Sequence, residues 1–463
     1  MDFDLLIKNG TVVTSGSVFK ADVGVKNEKI VTISDSLEQS SGEVIDAEGK
    51  FVVPGGVEIH THIDGILHGM RTVDDWFYAS LGAACGGTTT IIDFIMQGKD
   101  QTLHEVIEEY KERAKDKSIL DYAFTPIISK YNEETYDEIP ELIKEGVPSF
   151  KVFMYYDWKV DDYNLARIID TVGSHGGICH IHCENAGTID YLSDKFIQEG
   201  KTGVEWHAPA RPVSTEVDAT LQVLEVAAEF NAPVVIVHMS SGQAVEELAK
   251  ARAKGVKVYG ETMPHFLLLD ECEYNKPGYE AMKVVITPPL RAKENQKALW
   301  NGLKSGSLVT LGSDHCAFPY KDKIRLFETR GKVFPMIPHG APGIETRVPL
   351  LFSEGFSKGR IALSKFVEIS STNPAKLAGI YPQKGTIAVG SDADIVIIDP
   401  DKKVTLSQEI LHGKTDYTPY EGWDLDGYPV MSIVRGNIVV KDNEFVGEKG
   451  SGKYLVRNPF VPF

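Results

Sequence analysis

Long apolar runs are missing from this 463-residue chain, and no stretch approaches the ~18 consecutive apolar residues of a membrane span. The opening Met1-Asp-Phe-Asp lacks the basic flank and apolar core of a signal peptide. Cysteine is scarce: Cys85, Cys179, Cys183, Cys272 and Cys316 are odd in number and hold no Cys-x-x-Cys pair, against both a disulfide framework and a zinc ribbon. Positive charge is in deficit, with 48 Lys+Arg against 66 Asp+Glu for a net −18. Nucleic acids and anionic membranes need a basic surface, so neither is the expected partner. Low-complexity tracts and short fixed repeats are also absent. What remains is a soluble, reduced, cytoplasmic protein, with an enzyme as the leading class.

The two chain ends read as short strands. Leu5-Leu-Ile-Lys, Val12-Val, Asp22-Val-Gly-Val-Lys and Lys29-Ile-Val-Thr-Ile lie at one end, with Asp394-Ile-Val-Ile-Ile-Asp and Met431-Ser-Ile-Val at the other. Asn9-Gly10 and Gly436-Asn437 supply turn chemistry. Each end is too small for a core of its own, so the two are expected to pair into one β-sandwich. Between them, candidate strands alternate with helical stretches: Phe51–Ile63, Thr88–Phe94, Tyr122–Ile128, Phe150–Met154, Ile178–Cys183, Val234–Met239, Val256–Glu261 and Leu308–Asp314. Helical patterns include Leu103–Lys115, Thr220–Phe230 and Ser240–Ala253. Eight such units predict a (β/α)₈ TIM-like barrel, with a doubly wound sheet as runner-up. The expected division is a sandwich half at 1–53, a catalytic barrel at 54–381, the second sandwich half at 382–440 and a flexible C-terminal arm at 441–463.

Chemistry gathers at the strand ends. His60 and His62 are two apart on one strand, so their imidazoles share a face and suit a divalent ion. Lys151 sits in apolar Ser149-Phe-Lys-Val-Phe-Met, where a buried ammonium must be paired, neutral or chemically altered. His180 and His182 share a face in the next strand; His182 is nearer the rim, and His180 one layer deeper reads as a hydrogen-bonded core residue. His238 and Asp314 close two further apolar runs. Four histidines, an aspartate and a lysine exceed a closed four-ligand zinc site. They fit two ions if a neutral Lys151 amine takes up CO₂ to become a bridging carbamate.

This set resembles the hydantoinase/dihydropyrimidinase family of cyclic amidohydrolases. Supporting stretches are Pro54-Gly-Gly-Val-Glu-Ile-His-Thr-His-Ile-Asp, Gly86-Gly-Thr-Thr-Thr-Ile-Ile-Asp-Phe, Gly260-Glu-Thr-Met-Pro, Gly312-Ser-Asp-His-Cys and Lys384-Gly-Thr-Ile-Ala-Val-Gly-Ser-Asp-Ala-Asp. The resemblance implies that the histidine two before Glu184, His182, is the ligand. It implies that His60, His62 and Asp314 hold the more buried metal, His182 and His238 the more exposed one, and that Lys151 is an N6-carboxylysine bridging them. Zinc is the default ion, with manganese or iron also compatible. Asp314 would shuttle the proton to the leaving ring nitrogen, and Tyr156 would bond the developing oxyanion, with Tyr155 as the shifted alternative. Thr287 and His339 would hold the ring, largely by main-chain atoms.

The implied activity is opening of hydantoins or 5,6-dihydropyrimidines to N-carbamoyl amino acids by a homotetramer or homodimer. Alternatives are a cyclic imide or allantoin hydrolase, or a non-catalytic assembly protein, the last disfavoured by retention of all six ligand positions. The chain departs from its relatives where Thr287 stands for a usual Ser and His339 for a usual Asn, which bears on ring preference. His68 and Trp158 fall in loops bordering the exocyclic group and read first as exposed loop residues. Gly447-Glu-Lys-Gly-Ser-Gly-Lys-Tyr454 nearly matches a phosphate loop, but Tyr454 replaces the Ser/Thr and prolines follow instead of a helix.

Overall fold

Each of the eight apolar segments contributes a strand buried on both faces, as helix-covered parallel sheets require. The computed structural model describes residues 2–38, 42–67 and 69–463. Its barrel strands are β1 (Gly56–Glu58), β2 (Thr88–Met96), β3 (Asp121–Ile127), β4 (Ser149–Phe153), β5 (Ile178–His182), β6 (Val234–Ile236), β7 (Val258–Thr262) and β8 (Leu308–Leu311). They lie side by side in chain order, all parallel. Just past β1 and β8 the ring closes: Thr61 bridges His315, and the His62 amide donates to the His315 carbonyl at 2.9 Å. Closure excludes the doubly wound sheet, whose outer strands stay apart.

The connecting helices carry their signals locally. Leu103–Ala114 starts at Thr102, which forms a reciprocal capping box with Glu105. Gly242–Ala253 is capped by Ser241, while Ser240 turns inward to Glu216. Phe51–Ile63 is not one strand. Phe51–Pro54 joins the sandwich, pairing with Ile395–Ile398, and the chain crosses into the barrel at Gly55. A Cβ there would lie 2.0 Å from the Thr89 side chain.

The sandwich draws on both ends of the chain. One seven-stranded sheet combines Thr11–Val13, Val18–Lys20 and Phe51–Pro54 with Ile395–Thr405, Asp424–Val434, Asn437–Lys441 and Glu444–Phe445. Four N-terminal strands, Leu5–Lys8, Asp22–Lys26, Lys29–Ser34 and Glu43–Asp46, form the other sheet. Ile7, Val23 and Val25 pack with Val52, Ile395 and Ile433 between them. The late hairpin turns at Arg435-Gly436, both with positive φ, one residue earlier than its composition suggested.

The closing segment is not the flexible arm expected. It runs across the N-terminal end of the barrel: Leu455 N bonds Tyr122 O (2.8 Å), Arg457 N bonds Gly146 O (3.1 Å) and Phe460 N bonds Gly176 O (2.8 Å). A buried ionic knot joins this strap, the sandwich and the barrel. Lys384 Nζ contacts Asp121 (2.5 Å), Asp394 (2.6 Å) and Asp392 (3.1 Å), while Arg435 and the Lys453 amide also reach Asp121. Removing one side of a buried ion pair costs about 3–5 kcal/mol. Lys384→Met, which takes the shared cation from three buried carboxylates, is therefore expected to lower the unfolding free energy by that order, read as a lower urea midpoint; an unchanged midpoint would show that the knot adds nothing net.

Candidate metal centre and substrate cleft

Barrel strands aim their last side chains at one rim, and the predicted ligand positions converge there. His60 Nε2 and His62 Nε2 each lie 3.2 Å from Asp314 Oδ1. His182 Nδ1 stands 2.9 Å from His238 Nε2. Ligand atoms of His60, His238 and Asp314 lie within 4.8 Å of one another. Lys151 is fully buried, with Nζ 4.7 Å and 4.9 Å from the ring centroids of Phe94 and Phe153, and has no hydrogen-bond partner among the described residues. Burial brings its pKa down to about 7, against the pull of Asp314 and Glu261. An orphaned, readily neutral amine beneath converging imidazoles and a carboxylate fits a carbamate-bridged pair of divalent ions. His238 and Asp314 hold left-handed backbone (φ 40° and 47°), strain of order 1–3 kcal/mol each that the surrounding structure must sustain.

Three buried carboxylates orient this cluster, and they were not among the residues singled out from sequence. Glu261, in β7, accepts from His60 Nδ1 and from the His238 amide (3.3 Å). Glu58 accepts from the amides of His60 (2.9 Å) and Ser313 (3.1 Å) and pairs with Arg347 (3.0 Å). Glu184 accepts from His182 Nε2 (2.9 Å) and pairs with Arg211 (3.0 Å). Glu261 and Glu184, which meet imidazole nitrogens, fix ring orientation and tautomer, whereas Glu58 holds the backbone that carries His60. Burial opposes a charge on His60, but Glu261 and Asp314 outweigh it and raise the pKa to about 9. Asp314 is likewise opposed by burial yet held well below the usual carboxylate range by His60 and His62. A signal did exist for Glu58 and Glu184, since each lies two residues from a candidate histidine and so shares its face.

A cleft of about 390 Å³ opens over the cluster, lined by all four histidines, Asp314, Tyr156, Thr287 and His339. Tyr156 Oη bonds Thr287 Oγ1 and stands 3.4 Å from His339 Nδ1. Its backbone is left-handed (φ 77°), and burial pushes its phenol well above the ordinary pKa. Tyr155 instead lies under the Arg211 guanidinium at 4.1 Å, away from the cleft. Trp158 is half-buried rather than exposed, stacked on Tyr156 at 5.1 Å. His180 is buried and stands level with Lys151, one layer below His182 as expected, and its Nδ1 has no partner among the described residues. Burial holds its imidazole neutral. His68 lies outside the described residues.

The amidohydrolase family profile matches residues 51–439. A D-hydantoinase from Geobacillus stearothermophilus is 45% identical over 455 residues, covering 98% of this chain and 96% of the relative. The crystal structure of dihydropyrimidinase from Brevibacillus agri matches with TM-score 0.96 at 42% identity, over 98% of this chain and 99% of that one. L-hydantoinase (dihydropyrimidinase) from Arthrobacter aurescens gives 0.89 at 31% identity, over 98% and 100%. Profile and full-length relatives agree, and the chain belongs to the amidohydrolase family, in its hydantoinase/dihydropyrimidinase branch.

Proposed function

We propose that this protein hydrolyses the cyclic amide bond of hydantoins or 5,6-dihydropyrimidines, releasing N-carbamoyl amino acids. The observation that carries this reading is the seating of Tyr156, Thr287 and His339 directly over the His/Asp cluster in one ring-sized cleft. His60, His62 and Asp314 would hold one divalent ion and His182 and His238 the second, with carboxylated Lys151 between them. Zinc is the default, and manganese or iron suits the same ligands. When bound, the ion pair supplies activation of a water and polarisation of the ring carbonyl.

The chain's own groups do the rest. Asp314, ionised despite its burial, takes the proton from the attacking water and delivers it to the leaving ring nitrogen. Tyr156, kept protonated by burial, donates to the oxygen that gains charge. The amide edge of the ring would rest against the backbone at Thr287 and His339. A second cavity of about 750 Å³ shares Tyr156 and is lined by Ile66, Tyr155 and Trp158 as well; it suits the exocyclic substituent. The D-hydantoinase names of the relatives at 38–45% identity support D-5-monosubstituted hydantoins as first choice. Among the described residues no helix is long and apolar enough to cross a membrane. We assign the protein to the cytoplasm, as a homotetramer or homodimer.

A hydrolysis panel of hydantoin, D- and L-5-substituted hydantoins, dihydrouracil, a glutarimide-type imide and allantoin tests the reading. Hydantoins and dihydrouracil should open; turnover of imide or allantoin alone would reassign the substrate, and no metal with no turnover would favour an assembly role. Lys151→Ala should lose metal and activity together, with partial rescue of both by short carboxylic acids; full activity in the mutant would rule out the carbamate. Tyr156→Phe should lower kcat by about 10²-fold, the scale of one lost oxyanion donor, at unchanged metal content. An unaltered kcat would remove Tyr156 from the chemistry.

A further inference from the structure

Lys323 is a fully buried lysine to which the reaction above gives no part. It lies on the helix Tyr320–Thr329 that follows β8. Its ammonium meets backbone carbonyls rather than an anion: Gly340 O at 2.6 Å, Met282 O at 2.9 Å and Val285 O at 3.5 Å. Three oxygens match its three N–H donors, but no carboxylate pairs with it among the described residues. Burial accordingly pulls its pKa down to about 7. A methionine of similar length would fill the space without that desolvation cost, so packing alone does not account for the residue.

The carbonyls it gathers belong to the two segments that form the ring-binding wall. Met282 and Val285 lead into Thr287, and Gly340 follows His339. The segments are also bonded directly, Gly340 N to Val285 O at 2.9 Å. Gly340 has φ 149°, and a Cβ there would lie 2.4 Å from Cys316 O, so this loop has little latitude. Tyr156 Oη spans the same gap, bonded to Thr287 and 3.4 Å from His339.

We infer that Lys323 is a positioning residue for ring binding. Its ammonium draws the backbones at 282–285 and 340 together, setting the separation of Thr287 and His339 and with it the seat of the Tyr156 hydroxyl. The inference rests on the ring-hydrolase reading. It concerns how the ring is held, not the metals.

The test compares holoenzyme carrying Lys323→Met, and Lys323→Gln should the first not fold, with the wild-type protein. Kinetics are normalised to metal content, and amide hydrogen exchange is followed over 282–287 and 339–343. The expected result is a rise in KM for hydantoin on the order of tenfold with kcat changed much less, wild-type metal content, and faster exchange in both segments. Lys323→Arg, which keeps the charge and donors, should restore part of the loss. A merely structural lysine would lower the melting temperature and yield while leaving KM unchanged, and that result overturns the proposal. So does a loss confined to kcat. If the wild-type protein itself opens no ring in the panel, the functional reading falls and takes this one with it; if it does and KM is unmoved in the variants, only the role of Lys323 falls.

Discussion

A charge inside the barrel rim must be paired, hydrogen-bonded or neutralised, and most of the architecture around the cleft answers that constraint. Glu58, Glu184 and Glu261 are all buried beside imidazoles. The first two reach outward to Arg347 and Arg211, while Glu261 takes the His238 amide, so the rings of His60 and His182 are each backed by a carboxylate that is itself held by a guanidinium or a backbone amide. Arg291 and Glu216 extend the same pattern at 3.1 Å, with Ser240 between them. Lys151 stands outside this pattern. It has no such partner, and a covalent change that turns its amine into an anion would resolve both its burial and the excess of imidazole around it.

Much of this was legible before any coordinates. The shared direction of His60 and His62, the burial of Lys151 within an apolar run, and the placement of His182, His238 and Asp314 at or near the ends of such runs could be read from side-chain alternation and from where barrels put their functional groups, although His60 and His62 lie just past β1 rather than on it. The eight strands could be marked because each is a short apolar run between helical patterns. Pairing of distant charges could not be read the same way. Glu58 and Arg347 meet across nearly three hundred residues of chain, and no local period reports that contact. The sheet change at Gly55 was hidden for a related reason, since an unbroken apolar stretch does not reveal that its halves pair with different partners. The C-terminal strap escaped notice because its glycines and prolines carry no strand or helix period, and its order comes from bonds to the barrel instead.

The same separation of local from distant signals explains the cleft. Tyr156, Thr287 and His339 sit on three different loops and become neighbours only when the barrel closes. Residues on loops held by a rigid scaffold are free to vary in identity while their backbone stays in place. Thr287 and His339 come together in this way, Thr287 bonding the Tyr156 hydroxyl and His339 standing 3.4 Å from it.

The ionic knot at the barrel base also imposes an order of events on a chain emerging from the ribosome. Asp121 is laid down early, at the start of the third barrel strand, yet its cationic partners Lys384 and Arg435 are synthesised hundreds of residues later. Sandwich strands from the first fifty residues wait equally long for Ile395–Thr405. Contacts of such high sequence separation form late and leave apolar edges exposed until they do. The eight strands are complete only once Leu311 is made, and from there until Lys384 and Arg435 follow the barrel has an open floor and half a sandwich, the interval in which chaperone protection matters most.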